Sequence, residues 1–169
     1  MSNKHPYEMK LTVSKYIGLQ RWTSTLYFIM CSAICLFLFI YIIKTKFKFI
    51  RKYVYIFVLT QIMGCAWFPS VGKSNPLLTQ THKSFAYGLI LGIAVSFLVM
   101  FIWGVRAEQR LFALCGLLYS ALFVFMYTAK IEEFKSNIFI WENVIIFLLF
   151  LELSLEDKNP IIQKNKPQS

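Results

Sequence analysis

Residues 84–103 read SFAYGLILGIAVSFLVMFIW, a stretch without one charged side chain. A helix needs roughly 20 predominantly apolar residues to cross a hydrocarbon core about 30 Å thick, and this stretch has that length. Apolar and polar residues do not alternate along it, so a strand of a membrane barrel is disfavoured. The stretch therefore predicts a membrane-spanning helix.

Similar apolar runs lie on both sides of this stretch, and the whole chain of 169 residues is 57% hydrophobic and 18% aromatic. Such a composition is far from that of soluble domains. We predict an all-α, polytopic transmembrane bundle that forms one domain, with a polar basic segment at 1–23 before it and a polar tail at 154–169 after it. The five predicted spans are 24–43, 53–68, 84–103, 111–128 and 138–153.

The chain has a net charge of +10, and its Lys and Arg residues fall almost wholly in the tails and loops. This placement favours contacts with lipid headgroups over a nucleic-acid surface. We define face A as the side of the N-terminal segment and of loops 69–83 and 129–137, and face B as the opposite side. Face B carries ten Lys and Arg residues, half of them within 44–52, against eight on face A. The positive-inside rule then predicts a cytoplasmic face B, an outer N-terminus and a cytoplasmic C-terminus. We expect the plasma membrane as the compartment.

Alternating spans bring several polar and aromatic residues to face A, whichever way the bundle is oriented. Tryptophans at span ends are typical membrane anchors, and the same aromatic residues could also wall a binding site. The ligand-binding candidates on this face are Arg21, Trp22, Trp67, His82, Tyr87, Tyr127, Trp141 and Glu142.

Glu142 and His82 are the two candidates for chemistry. Glu142 lies about one turn inside the fifth span, where a carboxylate is costly and is expected to face the bundle and a partner. His82 opens the third span, with Thr79 to Thr81 before it as possible helix caps. As a pair they could act as acid and base, or they could form a structural ion pair or a headgroup contact. We predict no metal and no cofactor, because His5 lies in the polar tail and no element carries three suitably spaced ligands.

Small residues recur every four positions in two spans. Gly88, Gly92 and Ser96 form such a ladder in the third span, and Gly116 and Ser120 repeat it in the fourth. Ladders of this kind permit close helix packing, so we expect these two spans to touch.

Three further carboxylates have simpler interpretations. Glu132 and Glu133 stand beside Lys130 and Lys135, which predicts a solvated, self-neutralised loop. Glu152 lies near face B, where we expect it to reach cytoplasmic water.

Short motifs along the chain resemble a catalogued family of polytopic membrane proteins. VSKYIGLQRWTSTLYFIM leads into the first span, WFP closes the second, THKSFAYGL opens the third, and AKIEEF precedes a span that opens with IW. Together they resemble the family of domain of unknown function 998, with Ser14, Phe68, Pro69 and His82 at the matching positions. Members of that family usually have six spans, and by this resemblance the chain would lack the first. More distantly, His82 and Glu142 resemble the pattern of the DRAM/FGF-receptor-activating-protein group.

Neither resemblance implies a biochemical activity, so three functions stay open. The leading hypothesis is a non-enzymatic membrane protein that binds a lipid headgroup, a small amphiphile or a partner helix at face A. The second is a small intramembrane enzyme that uses His82 and Glu142 on a lipid-like substrate. The third is an accessory subunit that packs on a larger complex through the Gly88 ladder. A partner membrane protein or a second copy of the chain stays open as a partner. Membrane lipids are partners in each case, and nucleic acid in none.

Overall fold

The computed structural model describes residues 21–45, 49–68, 75–103 and 106–157, and over these ranges the chain is helical without a strand. The helices are α1 (Arg21–Lys44), α2 (Phe49–Trp67), α3 (Pro76–Ile102), α4 (Ala107–Thr128), α5 (Glu132–Ser136) and α6 (Ile138–Asp157). The predicted all-α class is confirmed. Most of the predicted N-terminal segment and of the C-terminal tail, together with Ser14 and Pro69, lies outside the described residues.

Four helices, α1, α3, α4 and α6, are long and apolar enough to cross a membrane. Helix α2 coincides with the second predicted span but is not among them. Arg51 and Lys52 lie in its first turn and Gln61 interrupts its apolar run. The crossing at α2 therefore stays a prediction, while the other four apolar runs are confirmed as helices of spanning length.

The long helices pack as antiparallel neighbours in chain order. Helix α2 packs against α1 and α3, α3 packs against α4, and α4 packs against α6, which also touches α3. Phe28 near the start of α1 contacts Trp67 at the end of α2, and Tyr87 near the start of α3 contacts Tyr127 near the end of α4. The helix ends that alternation assigns to face A thus lie together at one end of the bundle.

Helix α3 begins eight residues before the predicted span. Asn75 caps it, since its Oδ1 accepts a hydrogen bond of 3.1 Å from the Leu78 backbone N–H, and Pro76 occupies the first turn, where no N–H donor is needed. The expectation that Thr79 to Thr81 cap this helix is wrong. His82 consequently lies inside the helix, at the end of its second turn.

The connection after α4 is more ordered than a solvated loop. Lys130 adopts a left-handed φ of 56°, and the Ile131 N–H bonds the Met126 carbonyl at 3.3 Å, which is the pattern of a Schellman C-cap. Helix α5 follows, in which Lys135 Nζ lies 2.7 Å from Glu132 Oε1. The predicted charge neutralisation is present for this pair, within a short helix.

The small-residue ladder of α3 faces α2. A Cβ on Gly92 would lie 2.8 Å from Val58 Cγ2, and a Cβ on Gly88 would overlap the Gln61 side chain. Helices α3 and α4 do touch, as expected, but they use Gly116 of α4, which lies against the ring of Phe97. The predicted contact between the two helices is therefore confirmed, but Gly88 and Gly92 of the ladder pack against α2, and Ser96 contacts Glu152 of α6.

Candidate functional site

Helix α6 turns one side towards the rest of the bundle, and Glu142 lies on that side. Ile138, Ile145 and Leu149 are buried on it. Glu142 lies four residues after Ile138 and three before Ile145, so the helical repeat places it on the same stripe. Its side chain is half-buried. The inward orientation predicted for this carboxylate is thus consistent with the fold.

Glu142 interacts with groups of the first two helices. Its carboxylate lies close enough to the Tyr27 hydroxyl and the Cys65 thiol to interact with both electrostatically. Tyr27 in turn donates a hydrogen bond to the sulfur of Cys31, one turn further along α1. We call these four residues, Tyr27, Cys31, Cys65 and Glu142, the face-A cluster. It brings together α1, α2 and α6, and no motif of the sequence pointed to Tyr27 or Cys65 as its members.

His82 joins α3 to the end of α2. Its Nδ1 lies 2.8 Å from the Phe68 carbonyl oxygen and 3.2 Å from that of Cys65. Both partners are acceptors, so Nδ1 carries the hydrogen and donates it. The last carbonyl groups of a helix have no hydrogen-bond donor within the helix, and His82 provides that donor for α2. The His82 side chain is buried, with only 7% of it exposed.

Cys65 connects the two residues predicted to carry chemistry. His82 donates to its backbone carbonyl, and Glu142 interacts with its thiol. Both residues therefore approach the last turns of α2, as their shared face predicts. The contacts that place them there are with α1 and α2 groups that the sequence did not single out.

The predicted aromatic residues of face A form two groups among the described residues. Tyr87 and Tyr127 meet edge to face at 5.7 Å, and Trp141 stacks on Tyr119 at 5.3 Å. Phe123 and Phe134 link these pairs through further ring contacts. This group covers the junction of α3, α4, α5 and α6.

The second aromatic group lies on α1 and α2. Trp67 pairs with Phe28, with ring centroids 6.2 Å apart, and is 57% exposed. Arg21 and Trp22 belong to the first turn of α1, at the same end of the bundle, but their side chains lie outside the described residues. The predicted aromatic wall is thus divided between two helix junctions.

A second polar site, near face B, was missed in the sequence. Glu152 is fully buried, with an exposed fraction of 0%. Ser96 Oγ lies 2.7 Å from its Oε2, and Tyr55 donates to its Oε1 at 3.3 Å. The expectation that Glu152 reaches cytoplasmic water is wrong, because its side chain turns towards α2 and α3 instead of towards the membrane surface.

One sequence signal could have located this site. Glu152 follows Leu149 by three residues and Ile145 by seven, which continues the buried stripe of α6. Tyr55, Ser96 and Glu152 each stand five or six residues inside the face-B end of their helix, a depth of about 8–9 Å. Equal depth and inward spacing together indicate that the three side chains can meet.

No family model, curated protein or solved structure matches the chain. The resemblance to the family of domain of unknown function 998 and to the DRAM/FGF-receptor-activating-protein group stays a prediction. The helices themselves define the class of protein. Four helices of spanning length in one all-helical bundle indicate an integral membrane protein.

Proposed function

We propose that this protein is a five-span membrane protein that binds an amphiphile through its headgroup at the face-A cluster. One observation carries the proposal, namely the inward placement of Glu142 beside Tyr27 and Cys65 at the junction of α1, α2 and α6. A carboxylate in a membrane helix is costly, and such residues commonly mark a ligand or ion site. A headgroup with hydrogen-bond donors or a positive charge would join the groups that already interact with Glu142.

The surroundings of the cluster suit the apolar part of such a ligand. Helix α1 is the least buried of the four spanning helices, with 11% of its apolar window buried, against 22–28% for the others. An acyl chain can therefore lie along α1 next to the cluster. The exposed Trp67 and its partner Phe28 stand at the same junction, at the level where aromatic side chains meet headgroups.

The proposed topology places this site at the outer surface. If α2 crosses the membrane, the basic segment 44–52 faces the cytoplasm and the face-A cluster faces outwards. The N-terminus is then outside and the C-terminus cytoplasmic, in the plasma membrane. Lys52 at the start of α2 fits this arrangement, because basic residues at a cytoplasmic helix end contact anionic headgroups.

Binding is favoured over catalysis because of the role of His82. An acid–base mechanism would need His82 and Glu142 to act on one substrate. His82 instead donates through Nδ1 to the end of α2, which accounts for its burial and orientation. The accessory-subunit alternative depends on a free Gly88 ladder, but α2 of the same chain packs against Gly88 and Gly92, and α6 contacts Ser96.

The proposal is tested by mass spectrometry of the lipids that co-purify with the protein. Glu142→Gln removes the negative charge but keeps the shape, and Glu133→Gln makes the same change on the exposed side of α5. Loss of a charge-assisted hydrogen bond is worth about 1.5–3 kcal/mol, so we expect roughly a tenfold or greater loss of one lipid class in Glu142→Gln alone. An unchanged lipid profile in Glu142→Gln would rule out this site.

A further inference from the structure

Helix α2 carries a side-chain amide inside its apolar run. Gln61 lies six residues before Trp67, about 9 Å along the helix from the tryptophan at face A. If α2 crosses the membrane as proposed, this depth lies within the hydrocarbon core, where no water can hydrogen-bond an amide. The Gln61 side chain is half-buried, and Thr60 beside it is exposed. Part of this polar pair therefore faces the surface of the bundle.

The chain itself satisfies little of the hydrogen-bonding capacity of this amide. Gln61 Nε2 lies 3.4 Å from Thr60 Oγ1, which is a long contact. The Thr60 hydroxyl donates its own hydrogen to the Phe57 carbonyl at 2.7 Å, so towards Gln61 it can only accept. Within the described part of the chain, no donor reaches Gln61 Oε1. An amide group has two N–H hydrogens and one acceptor oxygen, so a donor and the acceptor stay available for a partner.

Packing against α3 holds this amide in place without covering it. The Gln61 side chain lies over Gly88, at a point where a Cβ would overlap it. Phe57, one turn towards face B, is 44% exposed, and Tyr53, a further turn along, is 55% exposed. We call these exposed positions, Tyr53, Phe57, Thr60 and Gln61, the α2 stripe. It combines aromatic surface with one amide that is ordered before any partner binds.

We propose that the α2 stripe is a docking surface for a second copy of this chain, in which the two Gln61 amides bond each other. An amide is complementary to itself, because each Nε2–H donates to the Oε1 of the other copy. A partner with only donors or only acceptors would leave half of the amide unsatisfied.

The membrane supplies the geometry of this dimer. Two copies inserted in the same direction are related by a two-fold axis along the membrane normal, which places both Gln61 side chains at the same depth. Hydrogen bonds between glutamine side chains of neighbouring helices favour helix association in hydrocarbon. This inference rests on the proposed crossing of α2 and is independent of the amphiphile at face A.

Energy transfer between donor- and acceptor-labelled full chains in phosphatidylcholine liposomes tests the inference. Each chain carries its dye at the C-terminus, and the protein-to-lipid ratio is varied. We expect dimers in the wild type, and in Gln61→Met a roughly tenfold or greater weakening, because two amide hydrogen bonds are lost. Met keeps the side-chain length that fits over Gly88. Gln80→Met makes the same change on the exposed side of the first turns of α3 and should leave the dimer unchanged.

A cysteine cross-link tests the docking surface without altering Gln61. Thr60→Cys in a Cys115→Ala background should form a disulfide between two copies when the liposomes are oxidised. Leu118→Cys, on the exposed face of α4, should not.

A monomeric wild type, or a dimer equally strong in Gln61→Met, would overturn the inference. Cross-linking at 118 but not at 60 would also overturn it, because the copies would then meet through α4. The lipid profile of Glu142→Gln decides the amphiphile site separately, and cysteine labelling at the two ends of α2 decides whether that helix crosses.

Discussion

At the scale of single residues, the same side-chain type has different roles at the two ends of the bundle. Glu142 is half-buried beside a tyrosine and a cysteine, whereas Glu152 is fully buried and hydrogen bonded to Ser96 and Tyr55. His82 shows how a residue with several chemical uses can be committed to one of them. Its Nδ1–H satisfies carbonyl groups at the end of α2, which the helix itself cannot do.

The capping role of His82 predicts a loss of stability on mutation. His82→Ala removes a buried donor and leaves the end of α2 unsatisfied, which we expect to cost about 1–3 kcal/mol of unfolding free energy. Denaturant unfolding in mixed detergent micelles measures this difference. His82→Asn, whose amide can donate from a similar position, should recover part of the loss, and Lys83→Ala on the exposed side of the same helix should have little effect. Equal stability of His82→Ala and the wild type would contradict the capping role.

At the scale of helices, two helices can approach closely where a glycine of one faces a large side chain of the other. Val58 of α2 packs against Gly92 of α3, and the ring of Phe97 of α3 packs against Gly116 of α4. Phe97 is 0% exposed and meets Phe112 edge to face at 5.6 Å, so it has little room to move. The packing of α3 against α4 is therefore sensitive to one methyl group added at Gly116.

Gly116→Ala tests this packing contact. The added Cβ would lie 2.6 Å from the Phe97 ring, which forces a shift of the ring or of the helix. Overpacking of this kind costs about 1–3 kcal/mol, so we expect a lower melting temperature in detergent. Cys115→Ala changes the neighbouring exposed residue and should leave the melting temperature within error. A stable Gly116→Ala variant would mean that α3 and α4 adjust freely.

At the scale of the whole molecule, the membrane topology of the chain depends on whether α2 crosses the bilayer. The four other long helices have the length and apolarity of membrane spans. Helix α2 packs between α1 and α3 yet begins with two basic residues. If it crosses the membrane, positions 44 and 75 on its two sides lie on opposite surfaces, and the two chain ends do as well.

Labelling of single cysteines with an impermeant maleimide on intact cells tests this arrangement. Lys44→Cys, Asn75→Cys and Arg106→Cys each replace an exposed residue at a helix end. Five spans predict labelling at 75 from outside and at 44 and 106 only after permeabilisation. The wild-type chain, whose four cysteines all lie within helices, provides the background. Labelling of 44 and 75 from the same side would show that α2 does not cross.

The sequence by itself determined the helical class, the membrane environment and the residues that share face A. Length and apolarity of the runs carry this information, because a chain in hydrocarbon must satisfy its backbone hydrogen bonds internally. Alternation of the runs then places His82, Tyr127 and Glu142 at one end of the bundle without knowledge of any contact.

Only the tertiary structure decided which polar groups meet. The rotation of each helix about its axis depends on packing with its neighbours, and a sequence of uniformly apolar runs leaves that rotation open. For this reason the sequence placed Glu152 in water, whereas the fold buries it against Ser96 and Tyr55. For the same reason the Gly88 ladder is visible in the sequence, but only the fold shows that Gly88 and Gly92 pack against α2.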